Sequence, residues 1–117
     1  MLELPGGTLL AQPAAAGGLR YAEGLEVRLR AGGERCRPCG RGHSQTLKRL
    51  LQERAVPPWA RSALPLIFKD GILVAVADLF ICHGHDAGRG ESGWRLRWLP
   101  NDRPLDTGQI AGGPVAD

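Results

Sequence analysis

Positions 35 to 44 read Arg-Cys-Arg-Pro-Cys-Gly-Arg-Gly-His-Ser, three guanidinium groups spaced among two glycines and followed at once by a helical pattern. Each part of that run has affinity for phosphate. An arginine fork matches two phosphate oxygens, free amides at a helix start point at an anion, and glycines let a sugar-phosphate backbone approach closely. Lys48 and Arg49, one turn further on, extend the same positive surface. The competing reading is a solvated basic loop whose arginine stems pack on the core.

Other residue types offer other chemistries, and their spacing argues against each. Cys36-x-x-Cys39 with His43, Cys82, His83 and His85 supplies the donor atoms of a zinc site. Structural zinc sites usually present two close-spaced pairs, however, and Cys82 lies inside an apolar run as a small core side chain. A redox role for Cys36 and Cys39 would suit a helix N-terminus within a βαβ unit, which the pattern lacks. No Ser or Cys nucleophile signature accompanies the histidines: His43 reads as a helix-start or phosphate-contacting residue, His83 and His85 as solvent-facing. Gly32-Gly33 is not followed by the Lys and Ser/Thr of a Walker loop, so no ATP site is expected.

The elements that must carry the basic run follow from periodicity. Leu25, Val27 and Leu29 alternate with Glu26, Arg28 and Arg30, the pattern of a half-buried strand. Ser44 is placed to cap a helix over about Gln45 to Arg54, with Leu47, Leu50 and Leu51 at spacings of three and four. Arg54 falls near the apolar edge of that helix and is expected to extend its head outward. Pro57-Pro58 stops the helix, and Trp59 is expected to fold back as core. Leu66-Ile67-Phe68 and Ile72 to Ala77 flank Asp70-Gly71 as a hairpin, and Leu79 to Cys82 follows as a further apolar run. Trp94, Leu96 and Trp98 share one face of a last strand, which assigns both tryptophans to the core over base stacking. Thr8 to Gln12 reads as a short strand at best, because Pro5, Gly6-Gly7, Pro13 and Gly17-Gly18 break the N-terminal segment. The expected organisation is an extension or first short strand over 1–18, a domain over 19–100, and a mobile tail over 101–117.

Composition bounds what remains. A chain of 117 residues holds one core, and 17 Gly with 9 Pro place much of it in turns and loops. The longest apolar run, Ile72 to Cys82, is interrupted by Asp78, so no helical membrane span is expected. Glu3 and Gly6-Gly7 do not fit a signal peptide, and three cysteines cannot all pair, which points to a reducing cytoplasm. The formal charge is +3, but residues 19–69 alone hold eleven basic and four acidic side chains, net +7. The middle of the chain is a face for a polyanion.

The run Cys36-Arg-Pro38, Gly40-Arg-Gly-His-Ser44, Leu47-Lys-Arg-Leu50, Val56-Pro-Pro-Trp59, Arg61, Leu64-Pro-Leu66 and Leu73-Val-Ala-Val76 resembles the C-terminal domain of bacterial tRNA(Ile)-lysidine synthase. The resemblance covers about half the chain, from roughly Gly24 to Cys82, and the order of its motifs is more specific than any one of them. It implies an α+β fold, a small antiparallel β-sandwich of unusual topology shared with a domain of phenylalanyl-tRNA synthetase, with one main amphipathic helix. It also implies the tRNA-recognition end of an ATP-dependent ligase that joins lysine to the wobble cytidine of an isoleucine tRNA. The Ser-Gly-Gly-x-Asp-Ser loop of the family's catalytic domain is absent from this sequence, so ATP and lysine belong to another domain, and no cofactor or catalytic residue is expected here.

Carried over by position, the resemblance makes Arg35, Arg37, Arg41, His43, Ser44, Lys48 and Arg49 candidates for contact with the tRNA(Ile) acceptor stem. Leu47, Leu50, Leu51, Trp59 and Leu66 become core. Cys39 departs from the family pattern, and no metal is implied. The implied partners are the acceptor stem and the remaining domains of the parent synthase, with no membrane and no DNA. Charge reversal of Arg37 with Arg41 is expected to abolish RNA binding and leave the fold intact. Two alternatives stay open: a zinc-stabilised module, and an interdomain protein-interaction module without RNA contact.

Overall fold

Strand β4 (Leu25–Arg28) alternates as its period-two sequence requires, with Leu25 and Val27 turned inward and Glu26 and Arg28 exposed. The strand ends one residue before Leu29, which is 41% exposed. β4 pairs antiparallel with β7 (Leu66–Lys69), which pairs with β8 (Ile72–Val76), and that strand with β9 (Phe80–Ile81). Asp70 and Gly71 both adopt positive φ, 52° and 80°, which makes the two-residue turn between β7 and β8. The structure is a computed structural model of the protein and describes residues 1–15 and 17–101.

Away from the turn at Asp70-Gly71, β7 and β8 are apolar over Leu66–Phe68 and Leu73–Val76 because both their faces are covered there. Leu66 and Phe68 belong to one core cluster and Ile67 to the other. The β7/β8 register shifts after Ile67: Ile67 pairs with Ala75 and Phe68 with Leu73, so Val74 is the extra residue of a bulge. Consecutive residues Val74 and Ala75 thereby reach the same cluster, while Leu73 and Val76 reach the opposite one.

The second sheet is ordered β1 (Leu2–Leu4), β2 (Gly7–Ala14), β10 (Gly93–Pro100), β3 (Leu19–Arg20), all antiparallel. The expected short strand over Thr8 to Gln12 is therefore eight residues long, paired along its whole length with β10. Pro13 does not break it, because β1 covers only residues 7–9 and leaves β2 one open edge at Pro13, where no ladder bond needs its amide. Gly18 (φ 74°) makes the sheet's tightest approach: a Cβ there would lie 2.3 Å from the Trp94 carbonyl oxygen. Leu9 and Leu19 from this sheet meet Ile67, Val74 and Ala75 of the other, with Trp94, Leu96 and Trp98 packed around them. Asn101 is tied to the first turn, its amide donating to Gly6 O at 2.9 Å. The rest of the expected mobile tail, 102–117, lies outside the described residues.

The other core cluster forms where α1 (Leu47–Glu53) packs Leu47, Leu50 and Leu51 against Leu66, Phe68, Val76 and Phe80. The helix starts two residues later than its apolar pattern suggests. Gln45–Thr46 (β6) pairs with Arg35–Cys36 (β5), which keeps the chain extended up to the cap. Thr46, not Ser44, is that cap: its Oγ1 accepts from Arg49 N at 3.3 Å. Thr46→Ala is expected to cost about 1 kcal/mol by urea unfolding, whereas Ser44→Ala, which leaves the cap in place, should stay within about 0.5 kcal/mol.

One further expectation is overturned. Trp59 is 73% exposed, because the short helix α2 (Pro58–Arg61) buries no side chain. Arg54 is exposed as expected, and its guanidinium also lies 4.9 Å from the centre of the Phe80 ring and donates to Leu79 O at 2.8 Å. None of the described helices is long and apolar enough to cross a membrane.

Candidate nucleic-acid interface

All seven residues of the basic candidate set are exposed. Their common support is the β5–β6 hairpin and the first turn of α1. Arg35 stands at the start of β5, between the backbone pairing with Thr46 and the buried Cys36. Its guanidinium reaches across the hairpin and donates to Ser44 O at 3.2 Å and Ser44 Oγ at 3.4 Å. Those hydrogen bonds occupy Ser44, and among the described residues no carboxylate pairs with Arg35.

Arg35, His43, Ser44 and Arg49 line one open cleft of about 460 Å³, together with Gln45 and Thr46. Gln45 Oε1 is buried there and has no hydrogen-bond partner among the described residues. Residues 45 and 46 were not in the sequence-derived set, since nothing in their types distinguishes a cleft wall from a helix start. Lys48 is exposed on the outer face of α1, one position from Arg49.

Arg37 and Arg41 form a second group. The Arg37 Nε donates to Arg41 O at 2.8 Å, which closes the loop between them, and Arg41 Nη1 pairs with Glu53 Oε1 at 2.8 Å. The Glu53 partnership bears on the charge of this surface and is not legible in the sequence, because Glu53 lies twelve positions from Arg41 on the last turn of α1. The pair is solvent-exposed, so it moderates the Arg41 charge without removing it.

The nearest carboxylate in sequence, Glu34, is turned away from the cleft. Its side chain accepts from Ala31 N at 2.7 Å and from Gly32 N at 3.1 Å. Partial burial opposes ionisation, but these amides and the nearby Arg30 charge outweigh it and hold the Glu34 carboxyl below its ordinary range. Three of the other central arginines are engaged away from the cleft: Arg28 lies over the Phe68 ring and pairs with Glu26, Arg61 donates to Val56 O, and Arg20 faces Glu91. Residues 35–53, the hairpin and α1, hold five of the eleven basic side chains of 19–69 and one acidic side chain, Glu53, a local net charge of +4. No group of three or more His, Cys, Asp or Glu side chains is arranged to hold a metal ion among the described residues.

Comparison with known proteins bears on this surface. The family profile described as "TilS substrate C-terminal domain" matches residues 25–98, which include the whole hairpin and α1. The tRNA(Ile)-lysidine synthase of Coxiella burnetii is 40% identical over 104 residues, 85% of this chain and 23% of that protein. The tRNA(Ile)-lysidine synthase of Pseudomonas fluorescens is 51% identical over 78 residues, 67% of this chain and 16% of that protein. The chain thus spans less than a quarter of the length of these curated relatives. A solved structure described as the crystal structure of a TILS C-terminal domain superposes with a TM-score of 0.63 at 22% identity, covering 86% of this chain and 89% of that one. That likeness establishes a shared small antiparallel β-rich fold.

Proposed function

Because the chain belongs to the TilS substrate C-terminal domain family, we propose that its basic hairpin and first helical turn hold the acceptor stem of tRNA(Ile) while a separate ATP-dependent domain attaches lysine to the wobble cytidine. The observation that carries the reading is the cleft where Arg35, His43 and Arg49 converge without a carboxylate lining it. A site with three potential cations or donors and no acid suits a phosphate backbone.

The mechanism is positioning. Arginine and lysine side chains neutralise phosphates and release counterions, which fixes the register of an RNA duplex without reading its bases. A-form RNA suits this mode, since its major groove is too narrow for side chains and its shape and backbone are what a protein meets. Arg35, Arg37, Arg41, Lys48 and Arg49 are the proposed phosphate contacts, with His43 and Ser44 as hydrogen-bond partners of the backbone. ATP and lysine are consumed by the catalytic domain of the parent synthase, and this domain contributes no catalytic residue. The two sheets are proposed to form the β-sandwich common to this family and a domain of phenylalanyl-tRNA synthetase, acting in the cytoplasm.

Amide chemical-shift mapping with an isoleucine acceptor-stem duplex tests surface and partner together. The expected result is perturbation confined to residues 35–49, diminishing as salt is raised. Perturbation centred elsewhere, or none at physiological salt, overturns the reading. In the latter case, docking of the same face on an acidic neighbouring domain takes its place.

A further inference from the structure

Beneath the arginine-rich loop, all three cysteines of the chain converge. Cys36 and Cys82 are 46 positions apart, 2% and 6% exposed, and their Sγ atoms are 2.8 Å from one another. Cys39 is exposed, with its thiol donating to Cys82 O at 3.6 Å. We infer that Cys36 and Cys82 are an oxidisable dithiol, which hydrogen peroxide converts to a disulfide that staples the root of the arginine loop to the end of β9.

The backbone already holds both residues for that bond. Pro38 and Cys82 form an antiparallel bridge, His83 N donates to Arg37 O at 2.6 Å, and Cys39 N donates to Ile81 O at 3.0 Å. Closing a disulfide from the present separation needs the sulfurs to approach by only about 0.8 Å.

The two thiols are not equivalent. Hydrogen bonding from Cys82 lowers the Cys36 thiol from its ordinary range against the effect of burial, with the Arg41 charge assisting. The same hydrogen bond, together with burial, pushes Cys82 up. Cys36 is the attacking thiolate and Cys82 the resolving thiol. Burial and the hydrogen bond to Asp86 push Cys39 up as well, which leaves the exposed thiol the poorer nucleophile.

In the first step Cys36 releases its proton, and its sulfur attacks one peroxide oxygen; the O–O bond breaks, and the departing hydroxide takes up a proton to become water. The sulfur, now a sulfenic acid, is attacked by the Cys82 sulfur as that thiol loses its proton. The S–S bond forms and the sulfenic hydroxyl leaves with a proton as a second water. Two thiols are oxidised by two electrons and one peroxide is reduced to two waters.

The test is titration of the reduced 117-residue chain with hydrogen peroxide, followed by thiol counting, non-reducing peptide mapping and thermal melting. The thiol count is expected to fall from three to one, with a Cys36–Cys82 linked peptide and a raised melting temperature that dithiothreitol reverses. Cys39→Ser is expected to form the same link, and because it leaves both buried thiols in place it tests the pair even where Cys82→Ser does not fold. Where Cys82→Ser does fold, Cys36 should halt as a dimedone-trappable sulfenic acid. A link through Cys39, a disulfide between chains, or survival of all three thiols overturns the inference. These readouts follow sulfur and not RNA, so their failure is distinct from failure of the proposed function.

Discussion

Reversing the charges of Arg35 and Arg49 together is expected to weaken binding of an isoleucine acceptor-stem duplex by about a hundredfold or more, since a hydrogen bond to a charged group contributes about 1.5–3 kcal/mol. Both side chains line the cleft, and neither is paired with a carboxylate among the described residues. The plot of log affinity against log salt should also become shallower by about two, one for each phosphate that is no longer neutralised. Fluorescence anisotropy across a salt series measures both quantities. Arg95→Glu with Arg97→Glu, on exposed positions of β10, changes the net charge by the same amount and should weaken binding far less. Equal weakening in the two double variants would assign binding to overall charge and remove the cleft from the account. Arg37 with Arg41 is the weaker choice for this experiment: Arg41 is already paired with Glu53, so its reversal also sets two carboxylates side by side and disturbs α1.

Leu50→Ala is expected to destabilise the fold by about 2–5 kcal/mol, a large part of the roughly 5–15 kcal/mol available to a domain. Leu50 is fully buried in the cluster that joins α1 to Leu66, Val76 and Phe80, where truncation leaves a cavity that the two-sided sheet cannot collapse to fill. In thermal melts each kcal/mol should lower the midpoint by about 4–8 °C. Leu99→Ala, at a position 40% exposed, should change stability by no more than about 0.5 kcal/mol. A cost below about 1 kcal/mol for Leu50→Ala would mean that α1 is not anchored through this face. The consequence for function is direct, because α1 carries Lys48 and Arg49 and follows the Thr46 cap at the cleft.

Much of the candidate surface is legible before folding, because exposure of arginine and lysine is what solvation demands wherever no acid can be buried with them. The seven basic-run residues are all exposed as that argument requires. Which of them share a cleft is not legible. Arg35 and Arg49 come together only because β5 pairs with β6 and brings residue 35 beside residue 46. Ser44 looks like a helix cap by type and neighbourhood, yet that same pairing moves the cap to Thr46 and gives Ser44 to Arg35.

Patterns repeated over a few residues were sufficient to determine β4, the Asp70-Gly71 hairpin, the leucine face of α1 and the tryptophan face of β10, because side-chain direction within a strand or helix depends only on local geometry. Pairings between distant segments were decided by the tertiary structure alone. Residues 7–14 become a full strand because 93–100 pairs with them, Trp59 stays exposed because α2 buries none of its side chains, and Cys36 meets Cys82 because the loop at Pro38 bridges to the end of β9. Each depends on which surfaces remain to be covered once the two sheets have met, a property of the assembled chain that no local window contains.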